Sequence, residues 1–270
     1  MTKPSLVLTK TPHEGICIIT LNRPEKRNAL DGIFIQEWIT VLQQIERDPS
    51  VRVVLMNANG EHFCAGADLA WMQKMAHCSQ AENIDDAMQL ANLLKIIHQF
   101  SKPVIGLIHG ATMGGGLGVI ASCDMVIATT DSVFCFSETK MGLAPSVISP
   151  YVVSVIGERL ARYYFLTAEK FNVQTATELT LVQQVVSKTE LLEAGLILSK
   201  KLLNNSPHAL AEVKKIIPLV ARNSISEKTI QMTAEHLASM RASKDAQEGL
   251  KAFLEKRSPV WESSCHYQIK

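Results

Sequence analysis

Pro103-Val-Ile-Gly-Leu-Ile-His-Gly-Ala-Thr-Met-Gly-Gly-Gly-Leu-Gly118 runs from a short apolar segment through small residues into three consecutive glycines. Pro103–Ile108 reads as a buried strand, and Gly114-Gly115-Gly116 as the opening of a helix. A glycine-rich turn from strand to helix leaves backbone N–H groups free beside the positive end of the helix dipole, which suits an anion. A second stretch of this kind, Phe63-Cys-Ala-Gly-Ala-Asp-Leu69, follows the apolar run Val53–Met56. If both loops point at one spot they form an oxyanion hole. Taken singly, either set of glycines could serve only close packing. Neither loop carries the Gly-Lys-Ser/Thr of a Walker site or the G-x-G-x-x-G of a dinucleotide site.

Outward from these loops the first half alternates strand and helix. Gly15–Leu21 and Val53–Met56 read as strands, as do Met125–Ala128 and Val133–Phe136. Asp31–Arg47 has a helical rhythm with Asp31 as N-cap. Ile84, Met88, Ala91, Leu94 and Ile97 form one helical stripe, and the polar stretch His77–Asn83 before it reads as a mobile loop. From about Ser146 the pattern is nearly all helical: Gly157–Thr167, Lys188–Leu203, Pro207–Ala221 and Ile225–Glu255. The expected organisation is a core of residues 1–200 followed by a helical region of residues 201–270.

The chain has 270 residues, 47% of them hydrophobic and 20% charged, with a net charge of +1. That balance excludes a partner recruited by bulk charge. The paired lysines Lys200-Lys201 and Lys214-Lys215 are a poor basis for a nucleic-acid face. The six cysteines (17, 64, 78, 123, 135 and 265) have no metal-knuckle or redox spacing, so no metal is expected. Cys17, Cys123 and Cys135 lie in apolar runs, as buried reduced thiols do. Met1–Lys10 lacks a signal-peptide core, and no run approaches the roughly 18 apolar residues of a spanning helix. The expectation is a cytoplasmic protein that needs no membrane.

Five ordered segments then converge on one family. Ile19-Thr-Leu-Asn-Arg-Pro-Glu-Lys-Arg-Asn-Ala-Leu30, the Cys64–Leu69 loop, Gly114–Gly116, Phe134-Cys-Phe-Ser-Glu138 with Gly142, and Ala252-Phe-Leu-Glu-Lys-Arg257 resemble the enoyl-CoA hydratase/isomerase (crotonase) family along nearly the whole chain. The resemblance implies an α/β fold, a crotonase-like spiral of ββα repeats with a C-terminal α-helical trimerisation region. The implied partners are an acyl-CoA substrate and further copies of the chain, as a trimer or dimer of trimers. No cofactor is implied beyond the coenzyme A of the substrate itself.

By motif position the two oxyanion donors are the N–H groups of Ala67 and Gly115, and the catalytic carboxylate is Glu138. The coenzyme A groove falls on Lys26, Arg27, Ala65 and Asp68, with Phe253 and Lys256 reaching it from a neighbouring subunit. Asp68 also reads as a helix-start cap.

The chain departs from the family's hydratases at one point. They carry two glutamates, and the first falls on Gly118. Glu138 alone, or a group elsewhere in the pocket, must then hold the water for hydration. A single-glutamate isomerase moving a 3,4 double bond to 2,3 is the alternative; a CoA- or RNA-binding pseudoenzyme is the non-catalytic one. Gly142-Leu-Ala-Pro-Ser-Val-Ile148 with Gly-Gly-Gly-Leu-Gly looks like bacterial methylglutaconyl-CoA hydratases. This implies a branched or carboxylated acyl group, such as 3-methylglutaconyl, and a pocket cation for which Lys140 and Arg162 are candidates. Met72, Met75 and Met113 are expected along the acyl pocket, His109 as a structural histidine, and Thr180 in a strained helix-ending turn.

Overall fold

The computed structural model describes residues 4–221 and 223–262. Strands β1 (Val7–His13) and β2 (Gly15–Leu21) form an antiparallel hairpin, and α1 (Gly32–Arg47) follows. The Asp31 carboxylate caps α1, accepting the Phe34 N–H at 2.8 Å. Next come β3 (Val51–Ala58), α2 (Leu69–Met75) and α3 (Gln80–Gln99).

The stretch expected as a loop before α3 is instead its cap. Ser79 and Glu82 form a reciprocal capping box, so the helix starts at Gln80. The apolar stripe on α3 is also only half used. Leu94 and Ile97 are buried, but Ile84 and Met88 are 55% and 51% exposed, because the first turns of the helix extend beyond the packed core.

Two similar units come next. β4 (Val104–Ile108), β5 (Ala111–Met113) and α4 (Gly115–Ser122) are succeeded by β6 (Met125–Thr129), β7 (Val133–Cys135) and α5 (Ser149–Thr167). In each unit the first strand joins one sheet, the second joins another, and a helix closes the turn. β8 (Phe171–Asn172), α6 (Val173–Glu178), β9 (Gln184–Val186) and α7 (Leu191–Leu203) continue the chain to α8 (Pro207–Ala221), α9 (Glu227–Ala242) and α10 (Lys244–Leu254).

The large sheet has the order β1-β2-β3-β4-β6-β9, parallel from β2 onward; the small one is β5-β7-β8. Isolated parallel bridges Leu30↔Ala67 and Cys64↔Thr112 extend the pattern of the small sheet to the earlier turns. This is the expected spiral of ββα repeats. The main core lies between the large sheet and α1, α3, α4 and α5, and a smaller one lies under α7.

The seven-residue β1 and the short strands β5, β8 and β9 escape the sequence patterns. Two helices also differ from expectation. α5 starts eight residues early at Ser149 and tolerates a non-helical Gly157 (φ 76°), since Val152, Ile156 and Ala161 are buried on both sides of the break. The long Ile225–Glu255 helix is divided at Ser243, whose extended backbone ends α9 and whose hydroxyl caps α10. Thr180 does take the left-handed conformation (φ 59°), with its hydroxyl donating to Val155 O at 3.1 Å.

The C-terminal helices are tied to the sheet through buried polar contacts. Arg52 on β3 donates to the carbonyls of Leu203 and Asn205, both at 2.8 Å. Lys214 on α8 meets Asp124 at 2.5 Å and Lys102 O at 3.1 Å, whereas Lys215 is exposed and pairs with Glu212 within α8 itself. Among the described residues the cysteines are unbridged, Cys17 and Cys135 are buried, and Cys123 is half-buried; Cys265 lies outside the described residues. None of the described helices is long and apolar enough to cross a membrane.

Asp124 also accepts the Val104 N–H at 2.7 Å and stays partly exposed to solvent. Lys214→Met should destabilise the fold by about 1 kcal/mol in urea unfolding. The double variant with Asp124→Asn should recover much of that loss.

Candidate active site

The two glycine-bearing loops meet. Met113 N–H donates to Cys64 O at 2.9 Å and Cys64 N–H to Ala111 O at 3.2 Å, laying the loops side by side. Gly66 (φ 91°) makes the contact intimate: a Cβ there would sit 3.2 Å from the Met113 carbonyl oxygen. Leu30 N–H donates to Gly66 O at 2.7 Å and Leu30 O accepts Asp68 N–H at 2.8 Å. In an extended strand successive peptides point in opposite directions, so the Ala67 N–H faces away from that bridge. Gly115 is the first residue of α4, and its N–H has no intrahelical acceptor. The Leu30 side chain abuts the Gly115 α-carbon, where a Cβ would stand 2.9 Å from Leu30 Cδ1. One residue therefore touches both donor segments.

Glu138 starts a single 3-10 turn, Glu138–Met141, which Gly142 ends in the left-handed conformation. Its carboxyl lies over Gly114, where a Cβ would be 3.2 Å from Oε1. Gly114 has φ 46° and ψ −116°, a backbone shape that a side chain would strain. Glu138 Oε2 is buried and has no hydrogen-bond partner among the described residues. Burial pushes the Glu138 pKa up, opposed only by a backbone hydrogen bond. A carboxyl whose charged form is disfavoured in this way takes up a proton more readily than an exposed one.

The coenzyme A candidates divide into two groups. Ala65 N–H donates to Arg27 O at 3.0 Å, and Lys26 Nζ stands 3.8 Å from Asp68 Oδ2, so Lys26, Arg27, Ala65 and Asp68 share one edge. Lys26 and Arg27 are exposed there. Phe253, 80% exposed at the end of α10, and Lys256 just beyond it have no described contact with that edge. Within one chain the structure does not bring them to the site.

Asp68 caps α2, accepting the N–H groups of Ala70 (2.9 Å) and Trp71 (3.2 Å). Burial alone would raise its pKa. The Trp71 N–H, Lys26, Arg23 and the Ala70 N–H together hold it below the usual carboxylate range.

Arg23 and Asn28 are structurally central and were missed by the residue-by-residue reading. The Arg23 guanidinium spans Asp31 (2.7 Å), Asp68 (3.1 Å) and Ala29 O (3.0 Å), joining the caps of α1 and α2. Asn28 is fully buried at φ 54°; its amide donates to Asn59 O and His62 O, and its oxygen accepts the Arg23 N–H. The signal available was an Asn-Ala-Leu ahead of two aspartate caps, but the pairing spans 45 residues.

Other expected residues fall as follows. His109 is buried, donates Nε2–H to Gly60 O at 3.1 Å, and has its pKa lowered by burial, which suits a structural role. Arg162 is exposed on α5 and paired with Glu158 at 2.9 Å; Lys140 is exposed. Met113 lies in the loop contact itself. Met72 and Met75 are half-buried on α2, with no described contact to the Glu138 carboxyl. Cys64, whose thiol is pushed up to about 12 by burial, packs against the Gly116 α-carbon and is chemically quiet. The described residues contain no cluster of three or more His, Cys, Asp or Glu able to hold a metal ion.

Gly118 is not an open position. A Cβ there would lie 2.3 Å from Ile148 Cγ2 and 3.2 Å from Leu94 Cδ1. Ile148, buried just ahead of α5, fills the space that a longer residue at 118 would need. The surroundings of Gly118 are thus aliphatic, with the Glu138 carboxyl lying over Gly114 at the start of the same helix.

Comparison with known proteins matches this architecture. The enoyl-CoA hydratase/isomerase family profile covers residues 11–264. A structure from Legionella pneumophila named "putative enoyl CoA hydratase/isomerase (crotonase)" is 44% identical, with TM-score 0.90 over 96% of this chain and 100% of that one. An enoyl-CoA hydratase from Shewanella pealeana is 41% identical, with TM-score 0.92 over 95% and 96% of the two chains. The mevalonyl-coenzyme A hydratase sidH of Aspergillus fumigatus is 30% identical over 96% of this chain and 95% of its own. The chain belongs to the enoyl-CoA hydratase/isomerase family and has the crotonase fold.

The Gly118–Ile148 contact makes a direct prediction. Gly118→Ala should destabilise by about 1–3 kcal/mol through overpacking. Adding Ile148→Ala should relieve that clash, so the two effects should be strongly non-additive in a double-mutant cycle.

Proposed function

We propose that the chain hydrates a 2-enoyl-CoA thioester to the 3-hydroxyacyl-CoA, with Glu138 handling both proton transfers. The observation that carries this reading is the Glu138 carboxyl, buried against Gly114 with an unpartnered oxygen, one residue from the free N–H of Gly115. The thioester oxygen would accept the Ala67 and Gly115 N–H groups. Water adds at C3 as the Glu138 carboxylate takes one of its protons, and the C2–C3 π electrons move toward that oxygen as an enolate. Glu138 then returns the proton to C2. Fixed donors matter because charge grows on the oxygen; each is worth about 2.7–4 kcal/mol in comparable sites.

Lys26, Arg27, Ala65 and Asp68 would hold the coenzyme A portion, with no other cofactor. The acyl group in this reading is branched or carboxylated. A carboxylated one such as 3-methylglutaconyl needs a cation, and Arg162 is already paired on the outer side of α5. Isomerisation of a 3-enoyl-CoA is the second reading, favoured by Ile148 standing beside Gly118. Glu138 alone can remove a proton from C2 and deliver it to C4.

Incubation with 3-methylglutaconyl-CoA, crotonyl-CoA and a 3-enoyl-CoA in H₂¹⁸O distinguishes these readings by mass spectrometry. An ¹⁸O-labelled 3-hydroxyacyl-CoA is expected; unlabelled conversion of the 3-enoyl substrate alone would replace hydration with isomerisation. Glu138→Gln should lower kcat by about 10²–10⁴-fold. The base form is needed, so activity should fall as pH drops through the raised pKa, above the ordinary carboxylate range. The same shift means that the folded state favours the protonated form. At pH 7 Glu138→Gln should therefore be more stable than the parent, and that gain should shrink as pH falls.

The proposal includes self-association as a trimer or dimer of trimers. Ile217, Leu250 and Phe253 on the C-terminal helices are exposed apolar residues in the single chain, and a neighbour would place Phe253 and Lys256 near the coenzyme A edge. The unbridged cysteines suit the cytoplasm. Light scattering should give three or six times the 29.7 kDa chain mass; a monomer would remove this part of the reading.

A further inference from the structure

Trp71 lies where three elements come together, outside the residues assigned so far. Its indole N–H donates to Asp86 Oδ1 at 2.9 Å, linking α2 to α3. Its ring covers the first residue of α1: a Cβ on Gly32 would be 3.0 Å from Trp71 Cζ2. Its backbone N–H is held by Asp68, the cap that immediately follows Ala67.

Each of these elements reaches a donor. Leu30, two residues before Gly32, bridges Ala67 and abuts Gly115. Leu90 lies one helical turn beyond Asp86 on the same face of α3, and its Cδ2 would be 3.7 Å from a Cβ on Gly115. Leu94, a further turn along, meets Gly118. The face Asp86–Leu90–Leu94 therefore runs along the start of α4, and α3 is fastened to α2 at two places: the Asn83 amide donates to Met75 O at 3.0 Å beside the connecting turn, and the Trp71–Asp86 bond holds the start of α2.

We propose that Trp71, through Asp86, is a positioning residue that fixes the spacing of the Ala67 and Gly115 N–H groups. The proposal rests on the oxyanion site described under Proposed function. Ala67 precedes α2, and Gly115 is backed by Leu90 of α3. The Trp71–Asp86 bond holds these two supports together on the side away from the Cys64–Met113 loop contact. Residues 76–79 and the Asn83–Met75 bond tie only the far end of α2 to α3, so without the Trp71–Asp86 bond the start of α2 can move off α3 and carry Ala67 with it. Both partners are half-buried, so the bond is partly shielded from competing water.

Acetoacetyl-CoA supplies a probe that does not depend on turnover, because an oxyanion site raises the enolate fraction of a bound 3-ketoacyl thioester and the enolate absorbs in the near ultraviolet. The parent should show that band. Trp71→Phe and Asp86→Ala should weaken the band and lower kcat about tenfold, leaving affinity for free coenzyme A within twofold. Asp86→Asn keeps an oxygen to accept the indole N–H and should restore both readouts. Asp86→Ala leaves the Trp71 ring on Gly32, so it separates the hydrogen bond from packing. An unchanged band and kcat in Asp86→Ala would overturn the proposal, as would equal loss in Asp86→Ala and Asp86→Asn. A parent protein that binds acetoacetyl-CoA with no enolate band would remove the oxyanion site itself, and this proposal with it. A parent that shows the band but turns over no enoyl thioester would overturn only the hydratase reading, and the band in the variants would still decide the role of Trp71.

Discussion

The backbone of Cys64–Asp68 lies against that of Ala111–Gly115 at a distance that only small residues permit. Gly66 stacks on the Met113 carbonyl, Gly116 on the Cys64 side chain, and two hydrogen bonds between Cys64 and the Ala111–Met113 strand hold the register. This close approach puts the end of one ββα turn beside the start of the next helix. It leaves the Ala67 and Gly115 N–H groups available for a ligand. Larger residues at these positions would push the turns apart before any chemistry was lost.

Around this contact the chain builds a frame from charges and caps. Arg23 spans the caps of α1 and α2, and Asn28, in a left-handed conformation, saturates three backbone groups from inside the core. These polar residues are buried but satisfied, which is how they fix one arrangement without a large penalty. Glu138 is the opposite case, a buried carboxyl oxygen left unsatisfied. Such a group weakens the fold, and under the proposed hydration its position over Gly114 would put the carboxyl to chemical use.

Gly118 shows how a substitution can be read wrongly as a vacancy. A glycine where a relative has a glutamate invites the idea of an empty pocket that water refills. Here Ile148 and Leu94 occupy that space. The apolar volume beside Gly118 comes from Ile148, in a segment 30 residues later. The site is simplified rather than hollowed out.

Much of the fold was legible in the sequence. Apolar runs of four to seven residues marked the inner strands β2, β3, β4 and β6, because strands covered on both faces have no polar side to show. The paired glycine loops marked the place where backbone must approach backbone. The expected roles of Glu138, Ala67 and Gly115 came from motif position, and they stay part of the proposed function. What sequence could not supply was distance. The two-residue β8, the three-residue β9, the split of the last long helix at Ser243 and the exposed end of the α3 stripe depend on what packs nearby. Arg23 with Asp68, Trp71 with Asp86 and Gly118 with Ile148 are pairs of chain-distant partners. Local periodicity determines which face of a segment is apolar; only the winding of the spiral decides which other segment that face, or that hydrogen bond, will meet.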